Sequence, residues 1–269
     1  MNPYRGCQHA CVYCFARKTH EYLGYDIGHD FDHRIVVKVN APSVLRQELR
    51  RPGWKRELIA LGTACDPYQQ AETRYRITRG IITALRDSAN PVSILTKSTI
   101  ITQDLDLLKE LASVASLTVS FTVGTLNEEI WQRVEPGTPR PIKRLESMGR
   151  LAKAGIRTGI MLAPILPELT DTPESLNQVI RAAAEYGAQH VLPIVLHLRP
   201  GSKEWFMPFL REAYPHLTPQ YQRLYKGAYA PASYTQEVYE VVEALKEKWG
   251  FSKSHPPVES TWGQQKLPI

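Results

Sequence analysis

The feature that most limits this chain is the pace at which two kinds of apolar run alternate. Between about residues 34 and 196, short continuous stretches such as IVVKV and VLPIVL are separated by longer ones whose apolar residues recur with a helical period. Strands are expected at residues 34–39, 58–62, 92–95, 117–122, 159–162 and 190–195, and helices at 43–51, 74–88, 102–112, 141–154 and 173–186. Thr102 and Asp104 precede an apolar-periodic run, and Pro173 follows Thr172 where a first helical turn accepts proline. Gly155 and Gly187 fall just past helix ends, where a left-handed cap favours glycine. Strand–helix alternation at this pace builds a parallel sheet through right-handed crossovers. Continuous apolar strands are those covered by helices on their faces. The fold class is therefore α/β, as a barrel or as an open doubly wound sheet. The sequence holds no glycine-rich dinucleotide fingerprint and no phosphate-binding loop, which weakens the nucleotide-binding alternative.

With 269 residues, 43% of them hydrophobic, the chain can bury one sizeable core. No apolar run reaches the roughly 18–20 residues that span a bilayer, and the opening MNPYRGC has no apolar signal core. A cytoplasmic location and no membrane partner are expected. The net charge is +6, with Arg46, Arg50, Arg51, Lys55 and Arg56 in one group and Arg74, Arg76 and Arg79 in another. Such groups serve as solvated helix faces or as the footprint of a polyanion such as a nucleic acid. Beyond residue 200 the chain turns rich in Tyr, Pro and Lys, with a helix expected at 235–249 and a weakly ordered tail from about Ser252. Residues 1–196 are read as the core, and residues 197–269 as a helical extension that covers it without being an independent domain.

Three of the four cysteines, Cys7, Cys11 and Cys14, fall within eight residues, and Cys65 stands apart. Disulfide frameworks space their cysteines out, so a packed trio points to metal. Zinc sites take four ligands, commonly as two separated pairs. No second pair exists here, and His9, His20, His29 and His33 lack a paired spacing. Three thiolates on one short loop suit an iron–sulfur cubane with three irons held by protein and one open to an exogenous ligand.

Cys7-x3-Cys11-x2-Cys14, with Tyr13 before the third cysteine, resembles the cluster loop of the radical S-adenosylmethionine (SAM) superfamily. The string NPYRGCQHACVYCFAR resembles its spore photoproduct lyase-like branch, and the likeness continues through ALGTACDPYQQAE, ILTKS, VSFTV, RVEPGTPRP and LAPILP. The resemblance implies a partial (β/α)6 TIM-type barrel. It implies a 4Fe–4S cluster on Cys7, Cys11 and Cys14 that reductively cleaves SAM to methionine and a 5′-deoxyadenosyl radical, which abstracts hydrogen from a substrate. A low-potential donor such as flavodoxin or ferredoxin would supply the electron. Carried over by position, Thr63 and Asp66 stand where the methionine amino group is met, although the usual Gly-Gly-Glu string is absent. Lys97 stands for the methionine carboxylate and Ser120 for the ribose. Tyr13 and the 162–165 stretch, Ala163 included, stand beside the adenine. Cys65 lies in the region that holds a hydrogen-donating cysteine in the lyase. Each position also has a structural reading: Asp66 as a turn cap before Pro67, Lys97 as a solvated charge, Ser120 and Tyr13 as core packing, Cys65 as an inert buried thiol. Arg133 and Glu135 stand close enough to pair with each other, and His197 and Arg199 are substrate-side candidates. In related proteins a segment precedes the cluster loop, so a missing first barrel strand and an open edge are expected.

Three functions compete. One is a radical enzyme acting on nucleic acid. The second is a radical enzyme acting on a peptide or small metabolite, with the peptide-modifying subclass disfavoured because no cysteine follows Cys65. The third is a non-catalytic iron–sulfur module, for which a SAM pocket has no use.

Overall fold

The computed structural model describes residues 1–251; the expected tail from about Ser252 lies outside the described residues. Two short strands, β1 (Tyr4–Arg5) and β2 (Val36–Val37), pair antiparallel as a separate ribbon. Five more, β3 (Ile59–Leu61), β4 (Val92–Thr96), β5 (Leu117–Thr122), β6 (Arg157–Ile165) and β7 (Val191–Val195), form a parallel sheet in chain order. The α/β half-barrel thus forms with five of the expected strands in its sheet. The stretch expected as a strand at 34–39 leaves the sheet to pair with the residues just before the cysteines. β3 and β7 are the sheet's edges, and the Met1 amino group hydrogen-bonds the Ala60 carbonyl of β3.

Helix α1 (Ala41–Leu49) leads into β3, and the crossover helices are α2 (Ile77–Asp87), α3 (Leu105–Val114), α4 (Pro141–Lys153) and α5 (Pro173–Glu185). Thr172 caps α5 by accepting from the Ser175 N–H at 3.2 Å. The expected 74–88 helix is broken at Arg76, which takes a left-handed φ of 49°. The buried Glu72 explains the break: its carboxylate accepts the Thr78 and Arg79 N–H groups at 3.0 and 3.1 Å, so the chain restarts there as α2.

Side-chain alternation sorts the two faces of the sheet. On β5, Leu117, Val119 and Phe121 are buried in the main apolar core, which also takes Ile81, Leu85, Leu108 and Leu145 from the helices. Thr118 and Ser120 face the other way and, with Ser93, Leu95 and Met161, line an inner cavity of about 500 Å³.

The C-terminal part carries α6 (Ser202–Ala213) and α7 (Ala232–Lys248). α7 packs on α5 and β7. A second apolar cluster unites Phe206, Leu210 and Tyr221 with Cys11 and Tyr13, so this part is packed directly on the cysteine loop. No helix among the described residues is long and apolar enough to cross a membrane.

Candidate active site at the strand ends

The cysteine loop is irregular, and the sequence supplies what such a backbone needs. Gly6 sits at φ 81°, and a Cβ there would lie 2.8 Å from the Phe31 carbonyl oxygen. Gly137 passes so close that a Cβ would lie 2.2 Å from the Gln8 carbonyl oxygen, and its N–H donates to the His9 carbonyl at 3.1 Å. The Pro-Gly turn of RVEPGTPRP is thus the wall behind the loop.

Side chains fix the rest. Gln69, fully buried, donates to the Gly6 carbonyl at 3.2 Å and accepts from the Gln8 N–H at 3.1 Å. Arg17, also fully buried, donates twice to the Cys11 carbonyl, at 3.2 and 3.0 Å, and pairs with Asp32 at 3.0 Å. Its guanidinium stacks on Phe31 and Trp205. Sequence reasoning did not single out Arg17 or Gln69. The signal for Arg17 was its place three residues after Cys14, inside the string NPYRGCQHACVYCFAR.

The loop brings its three cysteines together over the carboxyl ends of the strands. Cys7, Cys11 and Cys14 line a cavity of about 140 Å³ together with Tyr13, Thr63, Cys65, Asp66 and Lys97. Eight of the ten nominated positions therefore meet in one place; Ser120 and Ala163 do not line it. Ser120 lines the adjoining inner cavity, which shares Thr63 and Leu95. Ala163 is buried near the end of β6, where a Cβ on Gly124 would approach its carbonyl oxygen at 3.4 Å.

All four cysteines are free thiols. Burial pushes the thiols of Cys7 and Cys14 up and that of Cys11 to about 12. Such thiols stay protonated until a metal takes the proton's place. Among the described residues no three His, Cys, Asp or Glu side chains converge as a single metal ion requires. Three sulfurs shared out on one loop fit the corners of a larger cluster instead.

Lys97 follows β4. Burial works to lower its ammonium, but the Cys11 sulfur, once deprotonated, and the Glu135 carboxylate outweigh it and hold the ammonium above its ordinary value. The ammonium stands 5.7 Å from the Tyr13 ring centroid and donates no hydrogen bond among the described residues. A cation so placed suits an incoming carboxylate.

Asp66 is already engaged. Its carboxylate accepts from the Tyr68 N–H at 2.8 Å, the Thr96 hydroxyl at 2.7 Å and the Lys97 N–H at 2.6 Å, with His9 at 3.4 Å. It both caps the turn before Pro67 and ties the end of β4. Thr63 accepts from the Asn2 side chain at 3.2 Å, and the Cys65 thiol, pushed by burial to about 12, donates to the Tyr4 carbonyl at 3.2 Å.

Glu135 does not pair with Arg133, which instead binds Glu129 at 2.9 Å and the Ala213 carbonyl. Glu135 is buried and forms an ion pair with Arg144 at 2.5 Å while accepting the Tyr13 hydroxyl. Burial pushes its carboxyl up, but Arg144 and Lys97 outweigh that and hold it below the ordinary range. Ser120 shares a 2.9 Å hydrogen bond with His190, an imidazole that burial and Arg157 hold down at about 4. His190 was missed because it reads as the first residue of an apolar strand.

A parallel half-barrel that hangs three thiols over its strand ends, with a half-buried ammonium in the same cavity, is built to hold an iron–sulfur cluster and an anionic cofactor side by side. The family model of the Radical SAM superfamily matches residues 1–191, and the chain belongs to that superfamily. It is therefore an enzyme, and its cofactors are a 4Fe–4S cluster and SAM. It is 46% identical over 258 residues to the uncharacterized protein Rv2578c of Mycobacterium tuberculosis, covering 96% of this chain and 76% of that one. It is 27% identical over 253 residues to the uncharacterized protein MJ0683 of Methanocaldococcus jannaschii, covering 92% and 86%. Among solved structures, a spore photoproduct lyase variant with bound AdoMet and dinucleoside spore photoproduct superposes with a TM-score of 0.67 at 16% identity, over 93% of this chain and 73% of that one. Streptococcus suis SuiB bound to S-adenosylmethionine gives 0.54 at 13% identity, over 82% and 47%.

Proposed function

We propose that this protein is a radical SAM enzyme acting on nucleic acid. The observation that carries the cofactor half of this reading is Lys97: a cation facing three thiols, with a ring beneath it and no hydrogen-bond acceptor. Cys7, Cys11 and Cys14 hold the cluster, and Lys97 receives the methionine carboxylate. Thr63, at the rim of both cavities, meets the amino group, and Asp66 positions Lys97 through its backbone. Ser120, oriented by His190, takes the ribose, and Tyr13 and Ala163 lie towards the adenine. When bound, the 4Fe–4S cluster would supply the electron for reductive cleavage of SAM. The chain's own part is to exclude water and fix the reacting groups. Cys65 lines the same cavity, where its S–H bond breaks to give a hydrogen atom to a product radical and its sulfur is left as a thiyl radical.

The nucleic-acid half rests on the net charge of +6 and on the fold shared with a lyase whose structure holds a dinucleoside. A peptide or small-metabolite substrate is the second reading; the fold shared with SuiB, which has also been solved bound to a precursor peptide, favours it. The extension from residue 197 covers the cysteine loop through Phe206 and Tyr221. Thiols destined for iron suit a reducing cytoplasm, with a flavodoxin or ferredoxin as donor.

The test is anaerobic reconstitution with iron and sulfide, reduction, addition of SAM, and measurement of 5′-deoxyadenosine with Cys11→Ala alongside. Cleavage by the wild type only, stimulated by oligonucleotides and not by peptides or metabolites, is the expected result. Stimulation by peptides alone would transfer the reading to the second class.

A further inference from the structure

The barrel-end segment after β7 carries a cluster that the cofactor site does not use. His197 bridges antiparallel to Tyr229, and their rings meet edge to face with centroids 4.7 Å apart. The Arg199 guanidinium donates to the Tyr229 hydroxyl at 2.8 Å and stands 5.8 Å from its ring centroid. That bond uses one of five guanidinium donors, and Arg199 forms no ion pair with a carboxylate among the described residues. Tyr229 is 53% exposed although it is held on one side by an imidazole and at its hydroxyl by a cation. Burial and Arg199 keep His197 below its ordinary value, so it packs as a neutral ring.

Beside this trio lies a cavity of about 380 Å³, lined by His197, Tyr229, Thr235, Gln236 and Tyr239. Lys18 borders the same segment: a Cβ on Gly201 would lie 2.8 Å from the Lys18 Cβ. Of the acidic groups nearby, Glu204 is turned to the Gly201 N–H and Glu240 accepts from the Gln236 amide at 2.9 Å.

A fixed, exposed aromatic face next to an uncompensated guanidinium matches a nucleotide, whose base stacks while its phosphate pairs. An acidic peptide would use the cation but has no need of the ring. Resting on the nucleic-acid reading above, we infer that Tyr229 and Arg199 form a subsite for one single-stranded nucleotide flanking the reacting one. Tyr229 stacks on the base, Arg199 holds the phosphate, and His197 keeps the tyrosine ring in place.

The experiment measures fluorescence anisotropy of labelled oligothymidylate of about 12 nucleotides, a length within the range single-strand sites cover, and of an abasic deoxyribose-phosphate strand of equal length. Both are titrated with reconstituted wild type, Tyr229→Ala, Tyr229→Phe and Arg199→Ala, each checked for wild-type iron content and melting temperature. Tyr229→Ala should weaken oligothymidylate binding about tenfold, the loss of one base stack, and leave the abasic strand unchanged. Tyr229→Phe should bind like wild type. Arg199→Ala should weaken both strands and lower the salt slope by about one. Salt-dependent binding by the wild type with no change in the variants overturns the subsite and leaves the nucleic-acid reading standing. No binding of either strand by the wild type overturns both.

Discussion

Replacing Glu135 by Gln tests whether the charge network behind the cysteine loop holds the site together. Glu135 is 4% exposed and Arg144 fully buried, at 0%. Removing the carboxylate's charge leaves a guanidinium without its counter-charge in the interior, a loss of about 3–5 kcal/mol. Arg144 keeps three other acceptors, the Pro139 and Thr122 carbonyls at 2.9 and 3.0 Å and the Thr138 hydroxyl at 2.5 Å, so about 3 kcal/mol is expected. In a chain of this size that lowers the melting temperature by roughly 6–12 °C. The assay is thermal unfolding by circular dichroism of wild type, Glu135→Gln, Arg144→Met and the double variant, under argon, with iron content measured on each. The cycle should show a coupling of roughly 1–3 kcal/mol, because the second substitution removes the charge stranded by the first. The pH dependence has a defined sign. Glu135 is held below its ordinary value, so its contribution is full above the unfolded carboxyl value of about 4.3 and is lost as pH falls through the folded one. The difference between wild type and Glu135→Gln should therefore be flat from pH 7 to about pH 5 and shrink on further acidification. A loss under about 1 kcal/mol, additive singles, or a difference that grows in acid would refute the argument.

Three further substitutions separate contact from support. Lys97→Met should leave the absorbance of the reconstituted cluster unchanged and raise the SAM concentration at half-maximal 5′-deoxyadenosine formation by about tenfold or more, because a charge-assisted pair contributes about 1.5–3 kcal/mol; an unchanged value would assign Lys97 to solvent. Arg17→Lys keeps the charge but cannot reproduce the two bonds to the Cys11 carbonyl, so reconstitution should yield less iron per chain, and full iron loading would show that the loop holds itself. Gly137→Ala places a methyl against the Gln8 carbonyl and should lower iron content and melting temperature together; a wild-type melt would mean that the turn can move aside.

How far the sequence could be read follows from how local each signal is. The five parallel strands were legible because each is a short stretch rich in apolar residues set between longer stretches of helical period. Residues 34–39 have the same composition, yet Val36 and Val37 pair with Tyr4 and Arg5, a partnership of ribbon and loop that no periodicity encodes. The 74–88 helix was overextended because its break depends on Glu72 turning to cap Thr78 and Arg79, which a propensity pattern does not reveal. In the site, the cysteines, Lys97 and Thr63 were legible from motif and strand-end position, and the structure does bring them into one cavity. Arg133 and Glu135 were read as a pair on closeness in sequence, whereas Glu135 reaches Arg144 and Tyr13 across the fold. Such partners are set by tertiary geometry, and charges two residues apart on an irregular turn do not face one another by necessity.

The same contrast orders the site itself. Groups that face the cavity, such as the thiols and Lys97, carry few internal bonds and are free to meet something else. Groups behind them, Arg17, Gln69 and the Glu135–Arg144 pair, are saturated by the protein: besides Glu135, Arg144 alone donates to three acceptors. Buried polar side chains are costly unless fully satisfied, so their saturation here marks them as scaffold and their absence from ligand contact as a consequence. Losses in the two layers should therefore differ in kind. A change to Lys97 should move SAM affinity at constant stability, and a change behind it should move stability and iron content together.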